Sequence, residues 1–178
     1  MRTVYMTATS LDGFIADENN SLDWLFSADS SAVDEPTHDF IANVGAIVTG
    51  AGTYEWLLRH EGHKSWPFTA PTWVLTHRDL PRVEGNLRFV AADTDEELRA
   101  VHKEMVAAAD GRDVWVLGGG GVAADLARLG LLDVVDVSIA PVTLGAGSPL
   151  LAGRVDLQVL EVHRASDFAC ARYAVVKG

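Results

Sequence analysis

The stretch "DVWVLGGGGVAADLARLGLLDVV", residues 113–135, decides the fold, because apolar β-formers run through four glycines into an alanine- and leucine-rich segment. Residues 114–117 predict a strand, and residues from about 121 to 130 predict a helix that ends at a glycine. A strand that opens a helix in this way aims backbone N–H groups at one point, where the helix dipole reinforces them. Because glycine lets a phosphate approach the backbone, the stretch favours a phosphate site over a turn that serves packing alone.

The rest of the chain alternates strands with helices and then ends in strands. Strand-like segments at residues 3–10, 44–50, 71–78 and 86–92 alternate with helical patterns, the clearest of which begins at Thr94 with the spacing of a capping box. "LQVLEVHRA" and "FACARYAVV" predict an antiparallel hairpin around Ser166 and Asp167. The pattern predicts one α/β domain over residues 1–178, with helices on both faces of a mixed, mostly parallel sheet and an antiparallel C-terminal edge.

Composition narrows the classes of partner. The formal net charge of -11 argues against nucleic acid or an anionic membrane as the main partner. Cys170 is the only cysteine, which excludes disulfides and multi-thiolate metal sites within the chain. "HEGH", residues 60–63, lacks the H-E-x-x-H spacing, so we expect a solvated loop and no metal. With no secretory apolar region and no run of about 18 apolar residues, we expect a cytoplasmic protein.

The glycine run fits two common nucleotide motifs poorly. Gly118, Gly120 and Ala123 satisfy G-x-G-x-x-A, but a dinucleotide fingerprint follows the first strand of its unit, and several strands come first here. Asp133 and Asp136 fall at the start of the next strand, which is the wrong end for a ribose contact. A P-loop is also excluded, because no Gly-Lys-Ser/Thr follows.

Four segments in order resemble the dihydrofolate reductase-like superfamily. They are "MTATSLDGFIA", "VTGAGTYEWL", "WVLGGGGVAADL" and "SIAPVTLGAGSPLL", and they are most similar to the reductase domain of bacterial riboflavin biosynthesis. The resemblance implies a three-layer αβα sandwich that binds NADPH at the C-terminal ends of its strands. It also implies a homodimer through the C-terminal strands. The deaminase domain of that pathway needs a P-C-x-x-C motif, which a chain with one cysteine lacks.

The resemblance also implies which residues bind the cofactor. Glycine-rich and polar positions at four strand ends would contact NADPH: Ala8, Ile15, Gly50, Thr53, Tyr54, Thr76, His77, Arg78, Gly118, Gly119, Gly120, Gly121 and Val122. Asp17 falls in the loop that passes the nicotinamide. Thr76, His77 and Arg78 match the strand end that selects the 2′-phosphate, and Arg78 suits this role because its guanidinium forks two hydrogen bonds onto phosphate.

One position departs from the family pattern. Ala51 stands where "GRxTYE" places arginine, which removes a cation from the cofactor phosphates. The departure leaves three readings open: a weak affinity, compensation by Arg78, or a different nucleotide.

Hydride transfer needs an acceptor held close to the nicotinamide and a group that supplies or relays a proton. Asp34 is the first candidate acid and Asp12 the second, although Asp34 could equally complement a helix dipole and Asp12 could form an ordinary Asp-Gly turn. Glu35, Trp24 and Ser138 are candidate substrate contacts. For Trp24, packing of the aromatic ring in a loop is at least as plausible as stacking on a substrate.

These observations support an NADPH-dependent reductase of a small heterocyclic substrate of pteridine or pyrimidine type, such as 5-amino-6-(5-phosphoribosylamino)uracil. A nucleotide- or flavin-binding protein without turnover is the alternative. A Rossmann dehydrogenase is disfavoured by the late position of the glycines.

Overall fold

A computed structural model describes residues 1–60 and 65–178. Strands and helices alternate along these residues as the pattern predicts, and the elements are as follows: β1 (Thr3–Thr9), β2 (Phe14–Ala16), α1 (Ser31–Asn43), β3 (Ala46–Gly50), α2 (Ala51–His60), β4 (Thr72–Leu75), β5 (Leu87–Val90), α3 (Asp95–Ala108), β6 (Val114–Gly118), α4 (Gly120–Arg128), β7 (Val134–Ile139), β8 (Ser148–Pro149), β9 (Leu157–Ala165) and β10 (Phe168–Val175). Of the "HEGH" segment, only His60 lies among the described residues, so the prediction of a loop there falls outside them.

The main sheet has eight strands in the order β5-β4-β3-β6-β1-β7-β10-β9. The strands from β5 to β7 are parallel, whereas β10 runs antiparallel to both β7 and β9. The predicted mixed sheet with an antiparallel C-terminal hairpin is therefore confirmed. Because β1, β3, β4 and β6 all point the same way, their carboxyl ends meet at one edge of the sheet.

Helices cover both faces of this sheet. Val48 of β3 packs in the cluster that contains α3 and α4, whereas its neighbour Ile47 packs with residues of α1. In the same way, Trp73 of β4 faces α3 and Val74 faces α2. Consecutive apolar residues thus point into opposite layers, as expected for strands that are buried on both faces. The fold is the three-layer αβα sandwich that the resemblance implies.

The ends of two helices follow the sequence signals. The Thr94 hydroxyl accepts a hydrogen bond from the Glu97 amide at 3.2 Å, and the Glu97 carboxylate accepts one from the Thr94 amide at 3.0 Å. This capping box starts α3 as predicted. Helix α4 begins with Gly119 as its N-cap, without a side-chain capping bond, and its last turn leads to Gly130 at a φ of +69°.

The sequence pattern did not predict a small second sheet of two strands. β2 and β8 pair antiparallel, in segments that the sequence pattern assigned to loops. Strands of three and two residues are too short to show an alternating pattern, so only the pairing reveals them. None of the helices in the described part of the chain combines the length and apolar character that a membrane span requires.

Candidate functional site

A cavity of about 440 Å³, which we call the glycine cavity, lies at the carboxyl ends of β1, β3 and β6. Its lining combines the predicted glycines with small, apolar and neutral polar residues: Thr7, Ile15, Ala16, Asn20, Leu22, Gly50, Gly52, Thr53, Trp56, Leu117, Gly118, Gly119, Gly120, Gly121, Val122, Ser148, Pro149 and Ala152. The structure therefore brings Ile15, Gly50 and Thr53 together with the whole glycine run. None of these lining side chains is ionisable.

The four glycines fall into two pairs that differ in the space around them. A Cβ on Gly118 would lie 2.7 Å from the Thr53 hydroxyl, and one on Gly120 would collide with the Pro149 carbonyl. By contrast, a Cβ on Gly119 or Gly121 would meet nothing within 4 Å. Packing thus explains Gly118 and Gly120, whereas the open space at Gly119 and Gly121 suits the close approach of a ligand to the backbone.

Two helix starts face the glycine cavity, and both are free of acidic residues. The first turns of α2 and α4 contain no Asp or Glu, whereas the first turn of α1 has Asp34 and that of α3 has three acids. In a chain of net charge -11, this absence leaves the positive helix ends unopposed. Ala51 begins α2 and adds no cation. An anion here would be held by backbone N–H groups and helix dipoles.

A second cavity of about 390 Å³, which we call the aromatic cavity, adjoins the first. It has a largely apolar lining: Met6, Thr7, Ala8, Leu25, Phe26, Ala28, Ser30, Val33, Asp34, Thr37, Ile41, Trp115, Leu117, Ser138 and Phe168. Thr7 and Leu117 line both cavities, so ligands in the two would meet at the ends of β1 and β6. Ala8 lies in the aromatic cavity and does not line the glycine cavity.

Asp34 and Ser138 are the predicted polar residues that the structure places in the aromatic cavity. Asp34 is exposed at the first turn of α1, and its carboxylate accepts a hydrogen bond from the Ser30 hydroxyl at 3.2 Å. The Ser138 hydroxyl lies 3.7 Å from the Cys170 thiol. Of the residues that the structure describes, Asp34 is the one with an acidic side chain in the lining of either cavity.

Asp12 has a structural environment that conflicts with the predicted role of a proton donor. Its carboxylate accepts hydrogen bonds from the Ser10 hydroxyl at 2.7 Å and from the amides of Leu144 and Gly145. These bonds, that of Ser10 foremost, lower the pKa of Asp12 to about 2. Asp12 lines neither cavity, and a carboxyl group with this pKa carries no proton near neutral pH. Its role is to hold the loop before β8.

Two predicted substrate contacts also lie outside the cavities. Glu35 is exposed on α1 and lines neither of them. The Trp24 indole donates to the Ser21 carbonyl at 3.2 Å and packs in the cluster around Phe168. The neighbouring Phe26, with 70% of its surface exposed, lines the aromatic cavity instead. The sequence did not predict Phe26 as a site residue, because the exposure of a phenylalanine cannot be read from sequence.

Tyr54 is a core residue. Its ring is fully buried in the cluster that joins α2 to β4, and its hydroxyl donates to the Pro81 carbonyl at 2.6 Å. It does not line the glycine cavity, because successive residues at the start of α2 point in different directions. Thr53 faces the cavity, and Tyr54 faces the sheet.

The strand end predicted to select a 2′-phosphate lines a small cavity of about 140 Å³, which we call the Asp125 cavity. It is lined by Leu75, Thr76, His77, Ala92, Leu98, Val122 and Asp125. Val122 also lines the glycine cavity. Arg78 does not line the Asp125 cavity. Its guanidinium instead forms two hydrogen bonds with the Glu55 carboxylate, at 3.0 and 2.8 Å.

Trp56 is a lining residue that sequence reasoning missed. Its ring stacks on His60 with centroids 4.4 Å apart, and its buried indole nitrogen has no hydrogen-bond partner within the described ranges. In residues 1–60 and 65–178, no three His, Cys, Asp or Glu side chains are grouped as they would be around a metal ion.

The fold and the cavities at the carboxyl ends of the strands define a dihydrofolate reductase-like protein. Dihydrofolate reductase from Enterococcus faecalis superposes with a TM-score of 0.60 at 16% identity, over 99% of this chain and 97% of that one. The model of the RibD C-terminal domain matches residues 3–172, and the chain belongs to that family.

Other relatives agree with this assignment. The uncharacterized protein YyaP of Bacillus subtilis is 26% identical over 174 residues, which cover 91% of this chain and 88% of that protein. A protein of Shewanella sp. PV-4 that is named for riboflavin biosynthesis has a TM-score of 0.79 at 24% identity, over 99% and 100% of the two chains.

The diaminohydroxyphosphoribosylaminopyrimidine deaminase/5-amino-6-(5-phosphoribosylamino)uracil reductase of Thermotoga maritima has a TM-score of 0.67 at 18% identity, over 98% of this chain and 57% of that one. At these identities, the solved structures establish a shared fold. The family itself points to an oxidoreductase of RibD type.

Proposed function

We propose that the chain is a reductase that binds a reduced nicotinamide dinucleotide in the glycine cavity and a small heterocyclic substrate in the aromatic cavity. The observation that carries the proposal is the sharing of Thr7 and Leu117 by the two cavities. When bound, the reduced nicotinamide would supply the hydride. The protein then has to hold the two ligands against each other and exclude water, which is how positioning lowers the barrier of such a reaction.

The glycine cavity fits the pyrophosphate of such a cofactor. The open space at Gly119 and Gly121 admits a phosphate to the backbone, and two helix starts without acids face it. Among residues 1–60 and 65–178, no cationic side chain lines the cavity to pair with the phosphates. Backbone N–H groups therefore carry the binding, and we expect the affinity to depend on the absence of side chains at these glycines. NADPH is the cofactor that the family resemblance implies.

The aromatic cavity fits a flat ring with hydrogen-bonding groups. Phe26, Trp115 and Phe168 offer aromatic surfaces, and Asp34 and Ser138 offer polar atoms. Asp34 would bind a ring N–H and relay a proton to the reduced substrate. Because no Lys, Arg or His among the described residues lines it, an unphosphorylated pteridine or pyrimidine suits it better than a phosphoribosyl compound such as 5-amino-6-(5-phosphoribosylamino)uracil.

The test is a titration of the protein with NADPH and with NADH, followed by tryptophan fluorescence. Trp56 lines the glycine cavity and Trp115 the aromatic cavity, so a ligand in either changes the signal. Saturable quenching is expected, and its absence with both nucleotides would exclude the proposal. Consumption of the nicotinamide with a panel of pteridines and pyrimidines then identifies the acceptor.

A nucleotide- or flavin-binding protein without turnover is the second candidate. It is favoured by the structural engagement of Asp12, which leaves Asp34 as the only acid at the site in the described part of the chain. Tight nucleotide binding without consumption in the presence of any acceptor would support it over the reductase.

A further inference from the structure

The Asp125 cavity extends the glycine cavity around the first turn of α4. Val122 lines both of them, one on each side of its side chain. If the pyrophosphate lies at the start of α4, as the proposed function requires, one nucleoside extends toward Thr7 and the other enters the Asp125 cavity. The adenosine ribose and any 2′-phosphate on it then lie beside Asp125.

The charges around this cavity are unfavourable to a phosphate. Asp125 lines it directly, and the cation nearest to Asp125, Arg128, lies 3.6 Å away but is bound more closely by Asp95 at 2.8 Å. The His77 ring, which also lines the cavity, is paired with Asp93 at 2.9 Å.

Arg78, the remaining cation at this strand end, is also paired with a carboxylate. Arg78 lies outside the cavity and is held by Glu55, and among the described residues no Lys or Arg lines the Asp125 cavity. An exposed pair of this kind contributes little stability, so Arg78 is free to turn away from Glu55. The Asp125 carboxylate would nevertheless stay beside an incoming group that carries nearly two negative charges.

The same charges are favourable to a ribose without the 2′-phosphate. Its free 2′-hydroxyl is a hydrogen-bond donor, and a carboxylate is the acceptor that suits it. We propose that the chain prefers NADH to NADPH, and that Asp125 is the residue that determines this specificity. The proposal rests on the proposed function and differs from it in the choice of nucleotide. Ala51 stands where the family pattern places arginine, so one more cation that could pair with the phosphates of a nucleotide is absent.

The experiment compares binding of NADH with NADPH, and of AMP with adenosine 2′,5′-diphosphate, by calorimetry or tryptophan fluorescence. We expect the forms without the 2′-phosphate to bind about tenfold more tightly at low salt, and the ratio to shrink as salt screens the carboxylates. Asp125→Asn should tighten binding of NADPH about threefold and leave or weaken that of NADH. Glu55→Gln, which releases Arg78, should also favour NADPH.

Glu104→Gln is the matched control, because it changes the net charge equally from an exposed position farther along α3. It should leave the NADH to NADPH ratio unchanged. Equal or tighter binding of NADPH by the unmodified chain, or an unchanged ratio in Asp125→Asn, would overturn the inference while leaving the proposed function in place. Failure of both dinucleotides to bind would overturn the proposed function, and this inference with it.

Discussion

Gly118 lies so close to Thr53 that a Cβ on Gly118 would be 2.7 Å from the Thr53 hydroxyl. The contact joins the end of β6 to the first turn of α2. All four glycines line the glycine cavity, but only at the second and fourth positions would an added Cβ meet open space. Substitutions in one short motif should therefore separate stability from ligand binding.

Gly121→Ala should leave the protein folded and weaken nucleotide binding by about tenfold or more. The new methyl group has free space in the unbound protein and improves helix propensity, but it occupies the space next to the backbone that a phosphate needs. Fluorescence titration and thermal unfolding measure the two effects. Gly120→Ala is the contrasting variant, which should lower the melting temperature because its methyl group meets the Pro149 carbonyl. A Gly121→Ala protein with full affinity would show that the ligand does not approach α4.

Asp34→Asn should reduce turnover of an accepted substrate by about a hundredfold while nucleotide affinity stays constant. The reason is that the carboxylate lines the aromatic cavity and not the glycine cavity, so its loss removes a proton relay and not a cofactor contact. Glu35→Gln is the control, since its exposed neighbouring carboxylate lines neither cavity. Equal turnover by Asp34→Asn and Glu35→Gln would mean that Asp34 only complements the dipole of α1.

Asp12→Asn should lower the melting temperature at neutral pH, and the difference from the unmodified protein should disappear in acid. The folded pKa of about 2 lies below the usual value of 3.8, so the carboxylate stabilises the folded protein above about pH 4 and loses this effect as the pH falls toward 2. Thermal unfolding across this range measures it. Asp23→Asn, at an exposed position in the next loop, is the control. A constant difference at all pH values would argue against the hydrogen bonds to Leu144 and Gly145 as its cause.

Tyr54→Phe should destabilise the protein by about 1 kcal/mol without changing nucleotide affinity. The variant removes the bond to the Pro81 carbonyl and keeps the buried ring in place. Chemical denaturation gives the free energy of unfolding, and the fluorescence titration gives the affinity. A large loss of affinity at unchanged stability would restore Tyr54 to the cofactor site.

The homodimer stays a prediction. β9 is an edge strand of the sheet, and Val159, Leu160 and Val162 on it are each more than half exposed. An apolar edge of this kind is suited to pairing with a second copy.

Local chemistry decided much of the fold. The apolar run before Gly118, the capping box at Thr94 and the turn at Ser166 each act within a few residues, so the strand, the helix and the hairpin that they specify were predictable. The glycine run and Gly50 were identified as cavity-lining positions for the same reason.

Tertiary structure decided which of these residues line a cavity and which charges have partners. Asp12 bonds Gly145 across 133 positions, Arg78 meets Glu55 across 23, and Gly120 packs on the carbonyl of Pro149. Such contacts depend on how distant segments cross in space, and no local pattern encodes them. The sequence alone thus determined the strands, the helices and the glycine-rich turns at one edge of the sheet, whereas long-range packing and charge pairing decided which residues line the cavities there.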